Sequence, residues 1–138
     1  MLRALMRIGT AIHASLVKAT GRFGGGTEDG KVLVLTHQGA KSGKVRSTPL
    51  MFVNVGEAHA IAASAGGSDR NPAWLHNLRA HPDVTISVGG EDIPVRARVT
   101  EGAERDQLYD RFKAVADGFA RYEERTDRVI PVVVLDRR

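Results

Sequence analysis

The sequence predicts a mainly β, α+β fold: a split antiparallel β-barrel of about six strands with an N-terminal helix and two further helices. Three observations lead to this prediction. Short apolar runs are separated by glycine-containing turns, two neighbouring pairs of these runs have the pattern of β-hairpins, and few helical patterns interrupt them. A parallel α/β sheet would need a crossover helix after nearly every strand, and that alternation is missing.

The composition is that of one ordinary globular domain. The chain has 138 residues, of which 42% are hydrophobic and 26% are charged, so a core can form without covalent staples. It contains no cysteine, which excludes disulfides, cysteine nucleophiles and thiolate metal sites. We therefore expect a cytoplasmic protein, since a chain without disulfides suits a reducing compartment.

The net charge of +4 belongs to the N-terminal segment. Residues 1–27 hold four basic residues and no acidic one, whereas the remainder balances 16 basic against 16 acidic residues. This distribution argues against a nucleic-acid-binding surface. We predict that residues 1–27 form an amphipathic helix with a glycine-rich linker, and that residues 28–138 form the barrel.

The apolar face of the predicted N-terminal helix recurs at steps of three or four residues. Its members are Leu2, Leu5, Ile8, Ile12 and Leu16. Such a face packs either on the barrel or, together with its basic residues, peripherally on the inner face of the cell membrane. No apolar run approaches the roughly 20 residues that a spanning helix needs.

The strands follow in order along the chain. Residues 32–35 form a continuous apolar run, as expected for a strand that is covered on both faces. Residues 51–55 and 59–63 flank a Gly56-Glu57 turn and predict a hairpin. Residues 84–88 and 95–99 alternate apolar and polar side chains on either side of Gly89-Gly90, which predicts a second hairpin, and residues 130–135 give the last strand.

Two helices are predicted between the strands. Asn71-Pro72 has the pattern of a helix start, with Asn71 as N-cap and Pro72 in the first turn, and this helix should run to about Ala80. A second helix is predicted over residues 101–117, where apolar side chains recur at helical spacing.

An anion-binding loop is the first candidate site. Residues 37–50 lie between predicted strands 31–36 and 49–55, and they contain three cations, glycines, hydroxyls and no acid. The cations are Lys41, Lys44 and Arg46, and the hydroxyls are Ser42, Ser47 and Thr48. The stretch fails as a phosphate-binding P-loop in its spacing and its strand-to-strand setting. A solvated surface turn is the alternative interpretation.

Three weaker patterns follow. The small residues 62–67 at the end of a strand would let a flat ligand approach the backbone, or they form a plain turn. Trp74 and Asn77 share a helix face and could wall a planar ligand, although a lone tryptophan is more often core. Phe119 and Tyr122 could cover a pocket or simply pack. The five histidines show no metal-binding spacing, so we predict no metal site.

Taken together, these stretches resemble the deazaflavin-dependent nitroreductase and quinone reductase family of actinobacteria, which has a split β-barrel, flavin-binding fold. The resemblance covers about residues 31–136. Four blocks carry it, in order along the chain: residues 36–50 (THQGAKSGKVRSTPL), 62–67 (AASAGG), 71–78 (NPAWLHNL) and 126–134 (TDRVIPVVV).

The resemblance implies coenzyme F-420, a deazaflavin with a phosphate and an oligoglutamate tail. Lys41, Ser42, Lys44 and Arg46 would hold the phosphate and tail, the backbone of residues 62–67 would lie beside the ring, and Trp74 with Asn77 would close its far side. The implied cofactor contacts are Ala40, Lys41, Ser42, Lys44, Arg46, Ser47, Thr48, Pro49, Leu50, Met51, Ala62, Ala63, Ser64, Ala65, Gly66, Ala73, Trp74, Leu75, His76 and Asn77.

The implied reaction is hydride transfer from the reduced deazaflavin to a small electrophile such as a quinone, an enone or a nitroaromatic. Tyr122, Ser64 or solvent would supply the proton, and Met51, Phe119 and Tyr122 would line the substrate side. The pattern departs from nitroimidazole-reducing members, which carry several tyrosines there, and this favours a quinone-type reductase. An FMN-dependent oxidoreductase on the same fold and a non-catalytic binder of F-420 or another acidic ligand are the alternatives. The sequence does not decide the oligomeric state, and a homodimer is one candidate.

Overall fold

The computed structural model describes residues 26–138, so the predicted N-terminal helix lies outside the described residues. Within this range seven strands and three helices follow one another, with a single 3-10 turn at Ala65–Gly67. In chain order they are β1 Val32–Gln38, β2 Val45–Met51, β3 Val53–Val55, β4 Ala58–Ala62, α1 Ala73–Ala80, β5 Asp83–Val88, β6 Glu91–Val99, α2 Gly102–Val115, α3 Gly118–Arg125 and β7 Val132–Arg137. None of the helices in residues 26–138 is long and apolar enough to cross a membrane.

The strands form one antiparallel sheet whose two edges belong to the same stretch of chain. The order is β2-β1-β5-β6-β7-β4-β3, so β2 and β3 stand at opposite edges. Only Phe52 separates them in the sequence. Because adjacent residues are about 3.8 Å apart, the sheet must curl until its edges meet. The Phe52 N–H donates to the carbonyl of Lys31 (3.0 Å), and the Gly30 N–H donates to the carbonyl of Phe52 (2.9 Å).

The inside of this curled sheet is the first of two apolar cores. Alternate side chains of β1, such as Leu33 and Leu35, point into it together with Phe52, and all three are fully buried. Helix α1 contributes Trp74, Leu75 and Leu78 to the same cluster. Since a curled sheet needs its interior filled by side chains, α1 is part of the core as much as a connection.

The second core lies on the outer face of the sheet beneath α2 and α3. Tyr109 and Phe112 of α2 and Phe119 of α3 pack there against side chains of β4 and β7. The Tyr109 hydroxyl donates to the carbonyl of Phe119 (2.6 Å), which ties the two helices together. Burial, with a smaller contribution from the Glu123 carboxylate, raises the pKa of Tyr109 to about 12, so the phenol keeps its proton.

The predicted hairpins are confirmed, but the number of strands is wrong by one. β3 pairs with β4, and β5 pairs with β6, around the expected glycine turns. The single strand predicted over residues 49–55 is two strands, because the chain passes from one sheet edge to the other at Phe52. β2 also begins earlier than predicted, at Val45, because it pairs with β1 along the full length from Gln38 back to Val32. The loop of the first site therefore shrinks to residues 39–44.

The helix predictions are confirmed in part. α2 was predicted within two residues at each end. α1 begins at Ala73, and Pro72 is its extended N-cap (φ −65°, ψ 152°) with no side-chain cap, so the predicted roles of Asn71 and Pro72 are wrong. The Asn71 side chain instead accepts a hydrogen bond from Arg128. α3 was not predicted, because its eight residues bury only Phe119 and carry too short a pattern.

We expect Gly67→Ala to destabilise the fold by about 2 kcal/mol or more. Its φ is +83°, and an added Cβ would lie 2.9 Å from the backbone oxygen of Tyr122 and 3.0 Å from the Cβ of Arg125. Gly56→Ala is the matched control, because its φ is +60° and no atom lies within 4 Å of the added Cβ. Urea unfolding should show a loss of about 1 kcal/mol for that control. Equal losses of stability in the two variants would show that close packing against α3 is not the cause.

Candidate functional site

A cavity of about 510 Å³ lies between the β1–β2 loop and the exposed side of α1. It brings together the first and third of the sequence blocks, which residues 51–70 separate in the chain. Seven of the predicted cofactor contacts line it, together with Gly39: Ala40, Lys41, Ser42, Arg46, Ala73, His76 and Asn77. A cavity of this size that combines a cationic loop with small side chains suits an anionic ligand group.

The loop is held by its own backbone. The Gly39 N–H donates to the carbonyl of Lys44 (2.8 Å), and the Gly43 N–H donates to the carbonyl of Gly39 (3.0 Å). Gly43 has a φ of +71°, and a Cβ on Gly39 would lie only 2.4 Å from Oγ of Ser42. The positive φ of Gly43 favours glycine at that position, whereas a side chain at Gly39 would require the Ser42 hydroxyl to move. The Ser42 hydroxyl accepts the Lys44 N–H (3.1 Å).

The three cations of the loop have free side chains. The side chains of Lys41, Lys44 and Arg46 are exposed and make neither an ion pair nor a hydrogen bond with any of residues 26–138. Several arginines elsewhere are paired; Arg98, for example, contacts the carboxylates of Glu104 and Asp136 at 2.8 and 3.1 Å. An unpaired cluster of positive charge beside a cavity is the arrangement expected for binding an anion.

Pairing with β1 decides which face each β2 side chain occupies. His37 is opposite Arg46, and Leu35 is opposite Thr48. Because directly opposed residues share a face, Arg46, Thr48 and Leu50 lie on the interior side of the sheet. The alternate residues Ser47, Pro49 and Met51 lie on the outer side, where Met51 packs against the second core. The predicted contacts of residues 46–51 are thus divided between two faces.

A buried histidine and asparagine fasten the loop to α1. The Ala40 N–H donates to Oδ1 of Asn77 (2.8 Å), so the Asn77 amide nitrogen must donate to Nδ1 of His37 (3.0 Å). His37 then carries its proton on Nε2 and donates it to Oγ1 of Thr48 (2.8 Å). This chain of contacts links α1, the loop and both strands of the hairpin. His37 and Asn77 are only 4% and 7% exposed.

His37 is neutral at physiological pH. Burial, and secondarily the positive charge of Arg46, lowers the pKa of His37 from 6.5 to about 4. A protonated imidazole could not accept the Asn77 amide hydrogen at Nδ1, so the contact with Asn77 requires the neutral form. His37 was not among the predicted site residues, because its partner lies 40 residues further along the chain.

The second block forms a turn that α3 and the fourth block hold from outside. Ala65 has a φ of +46° and Gly66 a φ of +65°, and both residues are exposed. The Tyr122 backbone packs directly on Gly67. Arg128 donates from its guanidinium to the carbonyls of Ala63 and Ser64 at 3.1 and 2.9 Å. Arg128 lies in the fourth block, none of whose residues was predicted to contact the cofactor or the substrate.

The remaining predicted residues lie in the two cores or on the surface. Trp74, Leu75 and Ala63 belong to the interior core, and Ala62 belongs to the outer core. Met51, Phe119 and Tyr122, predicted to line the substrate side, all belong to the outer cluster, with the rings of Phe119 and Tyr122 5.5 Å apart. Ser64 and Tyr122 are half-buried.

We expect His37 to make the folded protein sensitive to mild acid. Because its pKa is about 4 when folded and 6.5 when unfolded, only the unfolded chain takes up a proton between these values. The contribution of neutral His37 to the free energy of unfolding is therefore fully present above pH 6.5. The free energy of unfolding falls by up to about 3 kcal/mol as the pH drops to 4. Urea unfolding at several pH values should show a smaller fall for His37→Gln, which cannot titrate. Parallel pH profiles for the two proteins would contradict this assignment.

The chain is similar in sequence to known proteins of one enzyme family. Residues 6–137 match the family model described as F420H(2)-dependent quinone reductase. The F420H(2)-dependent quinone reductase Rv1261c of Mycobacterium tuberculosis is 38% identical over 134 residues, which cover 92% of this chain and 89% of the relative. A relative from the same organism, Rv3178, is 39% identical over 107 residues, covering 77% of this chain and 89% of its own length.

Solved structures show the same fold. An F420-H2 dependent reductase, FDR-A, is 37% identical with a TM-score of 0.71, covering 76% of this chain and 93% of its own. A protein described as a domain-swapped dimer is 31% identical with a TM-score of 0.72, and the match covers 99% of this chain and all of the other. On the family match and these relatives, the chain belongs to the F420H(2)-dependent quinone reductase family.

Proposed function

We propose that this chain binds coenzyme F-420 through the cationic β1–β2 loop and transfers a hydride from the reduced cofactor to a small quinone-type electrophile. The single observation that carries the site assignment is the unpaired set of Lys41, Lys44 and Arg46 beside a cavity of about 510 Å³. Family membership supplies the cofactor and the reaction class. The residues of this chain that would bind the cofactor are assigned below.

The phosphate and acidic tail of F-420 fit the loop. Lys41 and Arg46 line the cavity, and Lys44 extends the positive charge along the exposed loop. Arg46 offers a planar fork that matches a phosphate or carboxylate, whereas the lysines act as point charges. Since all three side chains are exposed, each contact should be modest and should weaken with salt.

The ring would lie against the backbone of residues 62–66, with Pro49, Leu50 and Met51 on the neighbouring strand. β2 and β4 approach each other across the closure of the sheet, which supports placing these two segments in one site. Ala73, His76 and Asn77 would bound the tail side through α1. When bound, the reduced deazaflavin supplies the hydride, and the protein supplies orientation and exclusion of water.

The substrate would meet an apolar wall. Met51, Phe119 and Tyr122 belong to one cluster, and the guanidinium of Arg125 lies 5.9 Å from the centre of the Tyr122 ring. Such a wall favours a flat apolar electrophile over a charged one. A proton must follow the hydride, and Tyr122 and Ser64 are the candidate donors on this side. α3, which carries Tyr122, packs on the turn that follows Ser64.

A homodimer is part of the proposal. A relative of similar fold, 31% identical, is described as a domain-swapped dimer, and its match covers 99% of this chain. The single-residue junction at Phe52 is a natural place for such an exchange, because the strands on either side of it belong to different sheet edges. Light scattering of the full chain would give the mass directly, and a monomer at all concentrations would reject the dimer.

We expect the double variant Lys41→Ala, Arg46→Ala to bind F-420 about tenfold to a hundredfold more weakly at low salt. The loss should shrink as salt is raised, because these contacts are exposed and electrostatic. The double variant Arg79→Ala, Arg121→Ala is the control, since it removes the same charge from exposed side chains outside the cavity. Ligand fluorescence measures both affinities. Equal affinities in the two double variants, or tight binding of FMN without binding of F-420, would contradict the proposal.

We expect Tyr122→Phe and Ser64→Ala to separate the two candidate proton donors. Oxidation of reduced F-420 by menadione, followed by absorbance, gives kcat and KM. Loss of the true donor should lower kcat by about a hundredfold with little change in cofactor affinity. Wild-type protein that binds reduced F-420 but turns over no quinone or enone would favour a binding role instead. Unchanged kcat in both variants would assign the proton to solvent.

A further inference from the structure

We propose that Arg128 is a positioning residue that holds the turn at residues 63–67 in the shape required by the deazaflavin ring. The inference rests on the proposed function and extends it to a residue outside both the cavity and the substrate wall. Arg128 reaches back over roughly sixty residues to the segment between β4 and α1. It acts on the ring through the backbone of that segment.

The guanidinium of Arg128 binds four acceptors spread along one segment. Nε donates to the carbonyl of Ser68 (2.7 Å), and Nη1 donates to Oδ1 of Asn71 (2.9 Å). Nη2 donates to the carbonyls of Ala63 (3.1 Å) and Ser64 (2.9 Å). One planar group thereby fixes both ends of the turn relative to each other. Lysine has a single nitrogen and cannot reproduce this fork.

The charge of Arg128 is directed to backbone dipoles. Within residues 26–138 its guanidinium forms no ion pair, and its acceptors are three carbonyl oxygens and one amide oxygen. The contacts made here constrain the backbone direction at Ala63 and Ser64, which a carboxylate partner would not do.

Neighbouring residues of the fourth block support the same segment. Nη1 of Arg125 donates to the carbonyl of Gly66 (3.2 Å), and the Thr126 hydroxyl donates to a carboxylate oxygen of Asp69 (2.9 Å). The Thr126 oxygen also accepts the backbone N–H of Arg128 (3.3 Å). Residues 125–128 therefore form a brace along residues 63–71. Arg128 is the member with the most contacts.

The braced turn is strained and keeps two donors free. Ala65 is the one non-glycine residue among 26–138 with a positive φ, and at 46° such a conformation costs about 1 to 2 kcal/mol. Strain of this kind persists only where surrounding contacts hold it. The N–H groups of Ala65 and Gly66 bind no acceptor within the same range, and both residues are exposed. The first N–H groups of such a turn lack partners within it, and here their exposure leaves them available to the polar atoms of a ligand.

The test separates ring binding from tail binding. We compare wild type, Arg128→Lys, which keeps the charge and loses the fork, and Arg70→Lys as a control in the same segment. The Arg70 side chain is exposed and has no partner in residues 26–138. The ligands are F-420 and a deazaflavin riboside that lacks the phosphate and tail. We expect Arg128→Lys to weaken riboside binding by about tenfold to a hundredfold, with Arg70→Lys unchanged.

Two further measurements distinguish positioning from general destabilisation. The salt dependence of F-420 binding should stay as in wild type in Arg128→Lys, because Lys41 and Arg46 are untouched. The absorption maximum of bound deazaflavin should move towards that of the free ligand, because the ring loses its fixed surroundings. Unchanged riboside affinity would overturn the inference. So would an equal loss for riboside binding and for the salt-dependent part of F-420 binding, which would indicate general unfolding.

A different set of results would show that the proposed function is wrong while the role of Arg128 is still testable. If wild type binds neither F-420 nor the riboside, the cofactor assignment fails. The brace is then tested by hydrogen exchange of the amides in residues 63–71. Faster exchange there in Arg128→Lys, with residues 39–44 unchanged, would support a preformed turn that serves another ligand. Unchanged exchange in residues 63–71 would overturn the positioning role itself.

Discussion

The closure of the sheet at Phe52 is the constraint on which the rest of the structure depends. β2 and β3 are neighbours in sequence and opposite edges in space, so no flat arrangement of the seven strands satisfies the chain. Closure brings β2 close to β4. β2 follows the cationic loop, and β4 leads into the strained turn at Ala65. One covalent junction therefore brings the strand that follows the cationic loop close to the strand that precedes the turn.

The site divides its interactions between neutral groups that hold the backbone and cations that remain available. The loop is fastened by backbone contacts and by the uncharged His37 and Asn77. None of these contacts uses the side chain of Lys41, Lys44 or Arg46. Had a carboxylate fastened the loop, it would have neutralised Lys41 or Arg46 and weakened any anion bound beside them. Rigidity and positive charge are supplied by different residues, which lets an exposed loop be both ordered and cationic.

Elements that depend on a short stretch of sequence were predicted correctly. Both glycine hairpins, the buried run of β1 and the position of α2 follow from periodicity over five to fifteen residues, and all are found. The split at Phe52 could not be predicted in this way, because an apolar run has the same pattern whether or not the chain changes sheet edge. α3 was not predicted because a helix of eight residues with one buried aromatic side chain gives too short a hydrophobic pattern.

His37 and Arg128 were not predicted for the same physical reason. The Asn77 partner of His37 and the acceptors of Arg128 lie 40 and more residues away, and these contacts are made to an amide or a carbonyl. Carbonyls occur at every residue, so no pairing of residue types marks such a contact in the sequence. The signal that could have found Arg128 was its place in a family block together with the absence of an obvious role.

The position of His37 also constrains how the loop can bind anions. His37 and Arg46 are directly opposed across β1 and β2, so a proton on the imidazole would place two positive charges side by side on one face. The lowered pKa of His37 avoids this at physiological pH and keeps the Asn77 contact intact. An anion bound to Arg46 would reduce that repulsion and raise the pKa of His37. Anion binding and the protonation of a buried histidine are therefore coupled in this hairpin, with two opposing effects in acid: an anion on Arg46 favours the protonated His37, whereas the contact that fastens the loop through Asn77 requires the neutral imidazole.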